Sequence, residues 1–315
     1  MTSRPAIAAI DIGTNTTLLL VARPVAEGGE PEVLAQDAEI TRLGRGIGKD
    51  GNLTAEGIAG TLAALGRYAA IAAQHGARIA AIGTEALRRA PNADAFLTPA
   101  AQLLGTPVEV ITGEREAALT FRSVAASFPD EVARGRVAMV DIGGGSTEII
   151  VSERGEVRFR RSFPVGSVRL HERHIHHDPA TPDELAATER EVTSTLADAA
   201  LELGRAPVDL LVGVAGTVTS LAAMSMDLSS YDPARVHGSR LTQAALAVQL
   251  ARLAGATQPQ REEMAGLDPR RADVILAGAL LLREIVRMAR VAEVRVSDRG
   301  IRWGLFFERI SGASG

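Results

Sequence analysis

The chain has 315 residues, 46% of them hydrophobic and 23% charged, with a formal net charge of −4. That length suits one large domain or two of about 150 residues, and the negative balance argues against a general nucleic-acid coat. Cysteine is absent, which removes disulfides, thiolate zinc sites and cysteine nucleophiles.

The N-terminal "MTSRPAIAAIDIGTN" meets an aspartate too early for a signal peptide. No run approaches the roughly 20 apolar residues that span a membrane, so a cytoplasmic protein is expected. Lys49 is the only lysine. Arginine, whose fork engages two oxygens of a phosphate, therefore carries nearly all the positive charge.

Taken in chain order, "AIAAIDIGTNTTLLLV" (6–21) reads as strand, Asp-Ile-Gly turn and second strand, followed by a further strand and turn at "EITRLGRG" (39–46). Residues 54–74 carry apolar positions at helical spacing behind Thr54. "RIAAIGTEALRRA" (78–90) reads as buried strand, Gly-Thr turn and helix, and "VEVITGEREAALTF" (108–121) as strand, polar turn and helix. The same plan then restarts. "VAMVDIGGGSTEIIV" (137–151) repeats the first hairpin, with Asp141 standing where Asp11 stood, and "RRSFPVGSVRL" (160–170) continues it. "TPDELAATEREVTSTLADAALELG" opens on a capping box and predicts one helix to Gly204. "LLVGVAGTVTSLAAM" (210–224) echoes the first Gly-Thr unit. A long buried helix follows behind Asp268 and Pro269, and "VRVSDRGIRWGLFF" (294–307) echoes the last strand and helix of the first half.

The chain is therefore expected to be α/β: two similar halves, 1–132 and 133–298, with a cleft between them. The helix in 299–315 is expected to pack back on the first half. Equivalent turns from both halves would face that cleft.

The chemistry suggested by the turns is phosphate binding. Gly13 and Gly143, Gly144 and Gly145 permit tight turns whose backbone N–H groups converge on an anion. Thr14, Asn15, Thr16, Ser146 and Thr147 add side-chain donors. Neither turn is a Walker A loop, because Gly-x-x-x-x-Gly-Lys-Ser/Thr does not occur. Neither is a dinucleotide fingerprint, because each turn opens a strand and not a helix.

The motifs in this order resemble the superfamily of actin, hexokinase and heat-shock ATPases. Within it they are similar to the exopolyphosphatase / guanosine pentaphosphate phosphohydrolase (Ppx/GppA) family. "DIGTNTTLLLV" and "DIGGGSTE" look like its two phosphate loops, "TRLGRGI" (41–47) its Arg-Leu-Gly element, and "GTEALRRAPN" (83–92) its first Gly-Thr element. "ITGEREAAL" matches the element that carries its catalytic glutamate, and "VAGTVTSLA" and "SDRGIRWG" match the later elements. Arg115 replaces the first glutamate of the Glu-Glu-Ala pattern, and Trp303 stands where an acid is common. The resemblance implies two ribonuclease-H-like domains in the actin-type duplication.

The implied activity is removal of the terminal phosphoryl group of inorganic polyphosphate, with guanosine pentaphosphate (pppGpp) as the alternative substrate. It also implies Mg²⁺ (or Mn²⁺) and a homodimer, with no nucleic-acid or membrane partner. Glu116 is the candidate base or water-positioner. A glutamate's ordinary pKa of about 4.3 leaves it ionised at neutral pH. The competing role is a first-turn acid at a helix dipole, which Glu114 fits better. Asp141 and Glu148 are candidate magnesium holders together with Glu116, and the alternative for the first two is orientation of backbone amides. Arg42, Arg88, Asn92, Asp11, Gly216 and Thr217 complete the expected phosphate-binding set.

Arg89 reads as a solvated neighbour of Arg88. The segment 157–179 concentrates arginine and histidine. It reads either as a solvated loop that guides a polyanion or as a metal-binding tract around His171, His174, His176 and His177. Two other classes stay open: an ATPase or kinase with a nucleoside pocket at "GVAGTVTSLA", and a non-catalytic sensor of polyphosphate or alarmone.

Overall fold

The computed structural model describes residues 5–25, 29–45 and 51–311. Lys49 and the last two residues of the 41–47 element lie outside them. Two compact units are present, Met1–Ser123 with Ile301–Gly315, and Val124–Gly300. The division falls inside a helix at Ser123, where sequence reading had put the domain change near 132.

In the first unit, β1 (Ile7–Ile12), β2 (Thr17–Arg23) and β3 (Glu32–Glu39) form an antiparallel meander. Helix α1 (Ala55–Gln74) leads to β4 (Arg78–Gly83), and α2 (Glu85–Arg89) and α3 (Asp94–Leu104) lead to β5 (Val108–Val110). Both of these strands run parallel to β1, giving the order β3-β2-β1-β4-β5. Then comes α4 (Gly113–Ser127), within which the division falls, and α5 (Pro129–Arg134) already belongs to the second unit.

The second unit repeats the plan. β6 (Arg136–Ile142), β7 (Thr147–Glu153) and β8 (Glu156–Phe163) form the meander. Helices α6 (Ser167–His174), α7 (Pro182–Thr195) and α8 (Ala197–Gly204) lead to β9 (Leu210–Val214). Then follow α9 (Ala215–Ser225), α10 (Pro233–Val236), β10 (Arg240–Thr242), α11 (Gln243–Gly255), α12 (Gln258–Glu262), α13 (Ile275–Ala289) and β11 (Glu293–Val296), after which α14 (Ile301–Ser311) belongs to the first unit. The sheet order is β10-β11-β9-β6-β7-β8, the first order with one antiparallel edge strand added. Among the described residues no helix is long and apolar enough to cross a membrane.

The inner strands are apolar on both faces because both faces are covered. In the first unit Ile10, Ile12, Leu19 and Val21 pack with Tyr68 of α1 and Phe96 of α3. The opposite face, Ile7, Ala9, Leu20 and Ile82, packs with Ile301, Trp303, Leu305 and Phe306 of α14 and with Leu119 of α4. Trp303 is thus a core residue, edge-on to Phe306. Arg115 bonds Glu308 of α14 at 3.0 Å and Glu109 at 3.0 Å, so both departures from the family pattern serve the packing of α14. In the second unit α13 is buried along most of its length against the sheet and its neighbouring helices.

Two helices differ from expectation. The predicted helix to Gly204 breaks at Leu196, whose backbone leaves helical geometry at φ −92° and ψ 15°. Just before the break, Thr193 and Ser194 hydroxyls donate to the carbonyls of Glu189 and Glu191, a competing bond that bends helices. The long helix behind Asp268 begins as a single 3-10 turn (Pro269–Arg271), and the α-helix proper starts at Ile275.

Candidate active site

In each unit the expected phosphate-binding turns lie at the carboxyl ends of the first and fourth strands. In the first hairpin turn, Gly13 N–H donates to the Thr16 carbonyl at 3.0 Å. The carbonyls of Thr14 and Asn15 accept from Gly44 N–H (2.8 Å) and Arg42 N–H (2.9 Å). In the second, Gly143 N–H donates to the Ser146 carbonyl at 3.0 Å. The Gly143 carbonyl accepts from Ser167 N–H (3.0 Å) and the Gly144 carbonyl from Val168 N–H (2.9 Å). The segment after each meander therefore clamps the carbonyls of its own turn.

The clamp fixes where the N–H groups go. In a trans peptide the carbonyl of one residue and the N–H of the next point in opposite directions. The N–H groups of Asn15 and Thr16, and of Gly144 and Gly145, consequently point away from the clamping segments, which is the arrangement of an anion nest. The closeness of the second clamp explains Gly166: a Cβ there would stand 2.5 Å from the Gly144 carbonyl oxygen. Arg42 adopts φ +54°, a left-handed conformation costing about 1–2 kcal/mol for a non-glycine residue, and its backbone makes the first clamp.

The Gly-Thr turns lie beside these loops. Thr84 N–H donates to the Ile12 carbonyl at 3.1 Å, and Val214 pairs with Asp141 in the parallel β6–β9 ladder. Ala215, at φ +67°, opens α9 in a strained conformation of the kind held at functional sites. Gly216 lies against the Arg271 guanidinium, which a Cβ would meet at 2.0 Å. Burial holds Arg271 below its ordinary pKa, partly offset by the nearby Asp268. Thr217 is buried, and Gly278 of α13 lets its side chain fit.

The acids divide unequally between the units. Asp141 and Glu148 are direct cross-strand partners, so their side chains share one sheet face. Ser162, opposite Glu148 on β8, donates its hydroxyl to Glu148 Oε1 at 2.7 Å. Asp11 occupies the equivalent place in the first unit, but its cross-strand partner is Leu18. Among the described residues no three Asp, Glu or His side chains are grouped to hold a metal. Two carboxylates on one face do fit Mg²⁺, which takes one or two carboxylates and keeps several waters.

Glu116, in the first turn of α4, stands in a different setting. Arg88 Nη1 donates to its Oε2 at 3.4 Å and to the Ile111 carbonyl at 2.8 Å. Arg88 Nη2 donates to Glu85 Oε2 at 3.3 Å, and Glu85 Oε1 receives Arg89 at 3.1 Å. Arg89 is largely exposed.

Two expected phosphate ligands are occupied elsewhere. The Asn92 amide is spent on the backbone of Leu53, accepting from its N–H (2.8 Å) and donating to its carbonyl (3.0 Å). The Thr147 hydroxyl donates to the Val165 carbonyl at 2.6 Å, so it fastens the loop to the following segment. Two of the histidines of 171–177 engage carboxylates, His177 Nδ1 meeting Glu184 at 2.8 Å and His174 Nε2 meeting Glu191 at 2.5 Å, while the His176 ring lies 3.2 Å from the Arg173 carbonyl. Sequence reading missed Glu85, Ser162 and Arg271. Each was legible only as part of a motif string, since its partner is set by strand register or helix position.

Two α/β units of one topology, each closing its leading hairpin with a carbonyl-clamped turn beside a Gly-Thr helix start, define the duplicated actin-type fold of phosphate-handling enzymes. The chain belongs to the Ppx/GppA phosphatase family, whose model matches residues 20–312. Exopolyphosphatase 2 of Mycobacterium tuberculosis is 38% identical over 315 residues, covering 95% of this chain and 97% of that protein. The guanosine-5'-triphosphate,3'-diphosphate pyrophosphatase of Vibrio vulnificus is 31% identical, covering 98% of this chain and 60% of that protein. Among solved structures, an exopolyphosphatase from Cytophaga hutchinsonii matches with a TM-score of 0.90 at 27% identity, covering 98% of each chain.

Proposed function

We propose that the protein is a magnesium-dependent exopolyphosphatase of the cytoplasm, hydrolysing the terminal phosphoanhydride of inorganic polyphosphate to orthophosphate. The observation that carries this reading is the pairing of Arg88 with Glu116, a phosphate-binding cation beside a candidate base, in a chain similar along its length to exopolyphosphatase 2. In the proposed reaction a water oxygen attacks the terminal phosphorus and gives its proton to the Glu116 carboxylate. The bond from phosphorus to the bridging oxygen breaks, and its electron pair leaves with the shortened chain. That leaving group is already a stable anion, so no general acid is needed. Arg88 and the loop N–H groups hold the non-bridging oxygens, neutralising charge where it spreads in the transition state. Asp141 and Glu148 would hold Mg²⁺, which would supply further charge neutralisation when bound.

A second reading, hydrolysis of pppGpp, is favoured by the similarity to the Vibrio enzyme. Terminal phosphoryl chemistry is common to both substrates. The test is ³¹P NMR of a defined-length polyphosphate with the protein and Mg²⁺. A falling middle-group signal at constant end-group signal, with growth of orthophosphate, supports the reading; a rise in end groups without orthophosphate, or no change, rejects it. A homodimer is part of the proposal, checked by light scattering.

A further inference from the structure

We propose that Glu85 is a positioning residue for Arg88, fixing the direction in which its guanidinium meets the terminal phosphate. This rests on the exopolyphosphatase reading above.

The argument begins with an unequal division of labour on one carboxylate. Glu85 is buried at the start of α2, yet it carries two arginines of the same short helix, Arg89 on Oε1 and Arg88 on Oε2. Arg89 reaches water and Arg88 is mostly covered. On its other side Arg88 is held through Nη1 alone, by the Ile111 carbonyl and Glu116. A guanidinium fixed through one nitrogen can still swing about it. The second anchor, on Nη2, sets the plane of the fork, and that plane decides whether two N–H groups meet two oxygens of a phosphate.

Glu116 cannot be the lasting anchor if it accepts the proton of the attacking water. Glu85 takes no part in that transfer, so its grip persists through the reaction.

A double-mutant cycle tests this. Glu85→Gln, Arg88→Ala and the double variant are compared for kcat/KM on tripolyphosphate, and for calorimetric binding of tripolyphosphate without divalent cation. Glu85→Gln in the otherwise native chain is expected to lower both by about tenfold, within the range of coupled neighbours. In the Arg88→Ala background the same change is expected to alter them less than about twofold. Equal effects in the two backgrounds would overturn the proposal, because Glu85 would then act without Arg88. If Glu85→Gln proves too unstable to purify, Glu85→Asp, which keeps the charge but retracts it, must show the same non-additivity. The binding arm separates the two ideas. Binding that follows the cycle without phosphate release by the native protein sinks the hydrolase reading and keeps the positioning role. No tripolyphosphate binding by the native protein overturns both.

Discussion

Asp141 and Glu148 face each other across the β6–β7 hairpin, and Ser162 reaches Glu148 from the third strand at 2.7 Å. The first unit has the same hairpin with Leu18 in place of Glu148. The duplication has therefore kept the clamped glycine turn twice and the carboxylate pair once. If this pair holds magnesium, Ser162 orients one of its ligands. Ser162→Ala is then expected to raise the Mg²⁺ concentration for half-maximal activity by about tenfold, as loss of an orienting partner does. Unchanged magnesium dependence would remove the pair from that role.

Glu116→Gln keeps the size of the side chain and its contact to Arg88 but cannot take up a proton at neutral pH. A fall in kcat of about 10²–10⁴, with tripolyphosphate binding retained, is expected from steady-state kinetics and calorimetry. Near-normal turnover would remove Glu116 from the chemistry.

Gly166 tests the clamp on the second loop. A Cβ there would lie 2.5 Å from the Gly144 oxygen and 2.8 Å from the Gly143 oxygen, both backbone atoms that cannot turn aside. Gly166→Ala is expected to cost about 1–3 kcal/mol in urea unfolding and to weaken tripolyphosphate binding as well. A loss of stability with binding intact would show that the α6 contact does not set the loop.

Gly304 makes a close approach of another kind in the first unit, between helices, where a Cβ would come within 1.8 Å of the Leu119 oxygen. Gly304→Ala should loosen α14 from α4 and lower stability by at least about 1–3 kcal/mol, measured by thermal or urea unfolding.

Much of this was legible in the sequence because the turns are written locally. An aspartate at a strand end followed by glycines and hydroxyls specifies a tight hairpin turn, and its repetition specifies a duplicated fold. The site was less legible where partners are distant. Asn92 and Thr147 look like phosphate donors until the carbonyl or N–H that occupies them is known. Glu85 and Arg88 at (i, i+3) look like any helical surface pair; burial alone separates them from one. The break at Leu196 was invisible to a periodicity that continues on both sides of it.

Glu184 supplies a pH-dependent prediction. Burial pushes its carboxyl upward, but hydrogen bonds from His177 and from the backbone at Thr181 and His176 outweigh it and bring the pKa to about 2. A carboxyl lowered in the folded state adds stability above its unfolded value, and that stability is lost as pH falls toward the folded one. Glu184→Gln is therefore expected to destabilise the protein at pH 7. The difference from the native chain should shrink as pH falls from about 4.5 toward about 2, followed by urea unfolding. A constant difference across that window would contradict the assignment.

The central claim is tested most directly by phosphate release from polyphosphate of defined lengths, pppGpp and ATP, side by side with Mg²⁺. Orthophosphate from polyphosphate, abolished by Glu116→Gln, is the predicted result. Release from ATP alone would contradict the account.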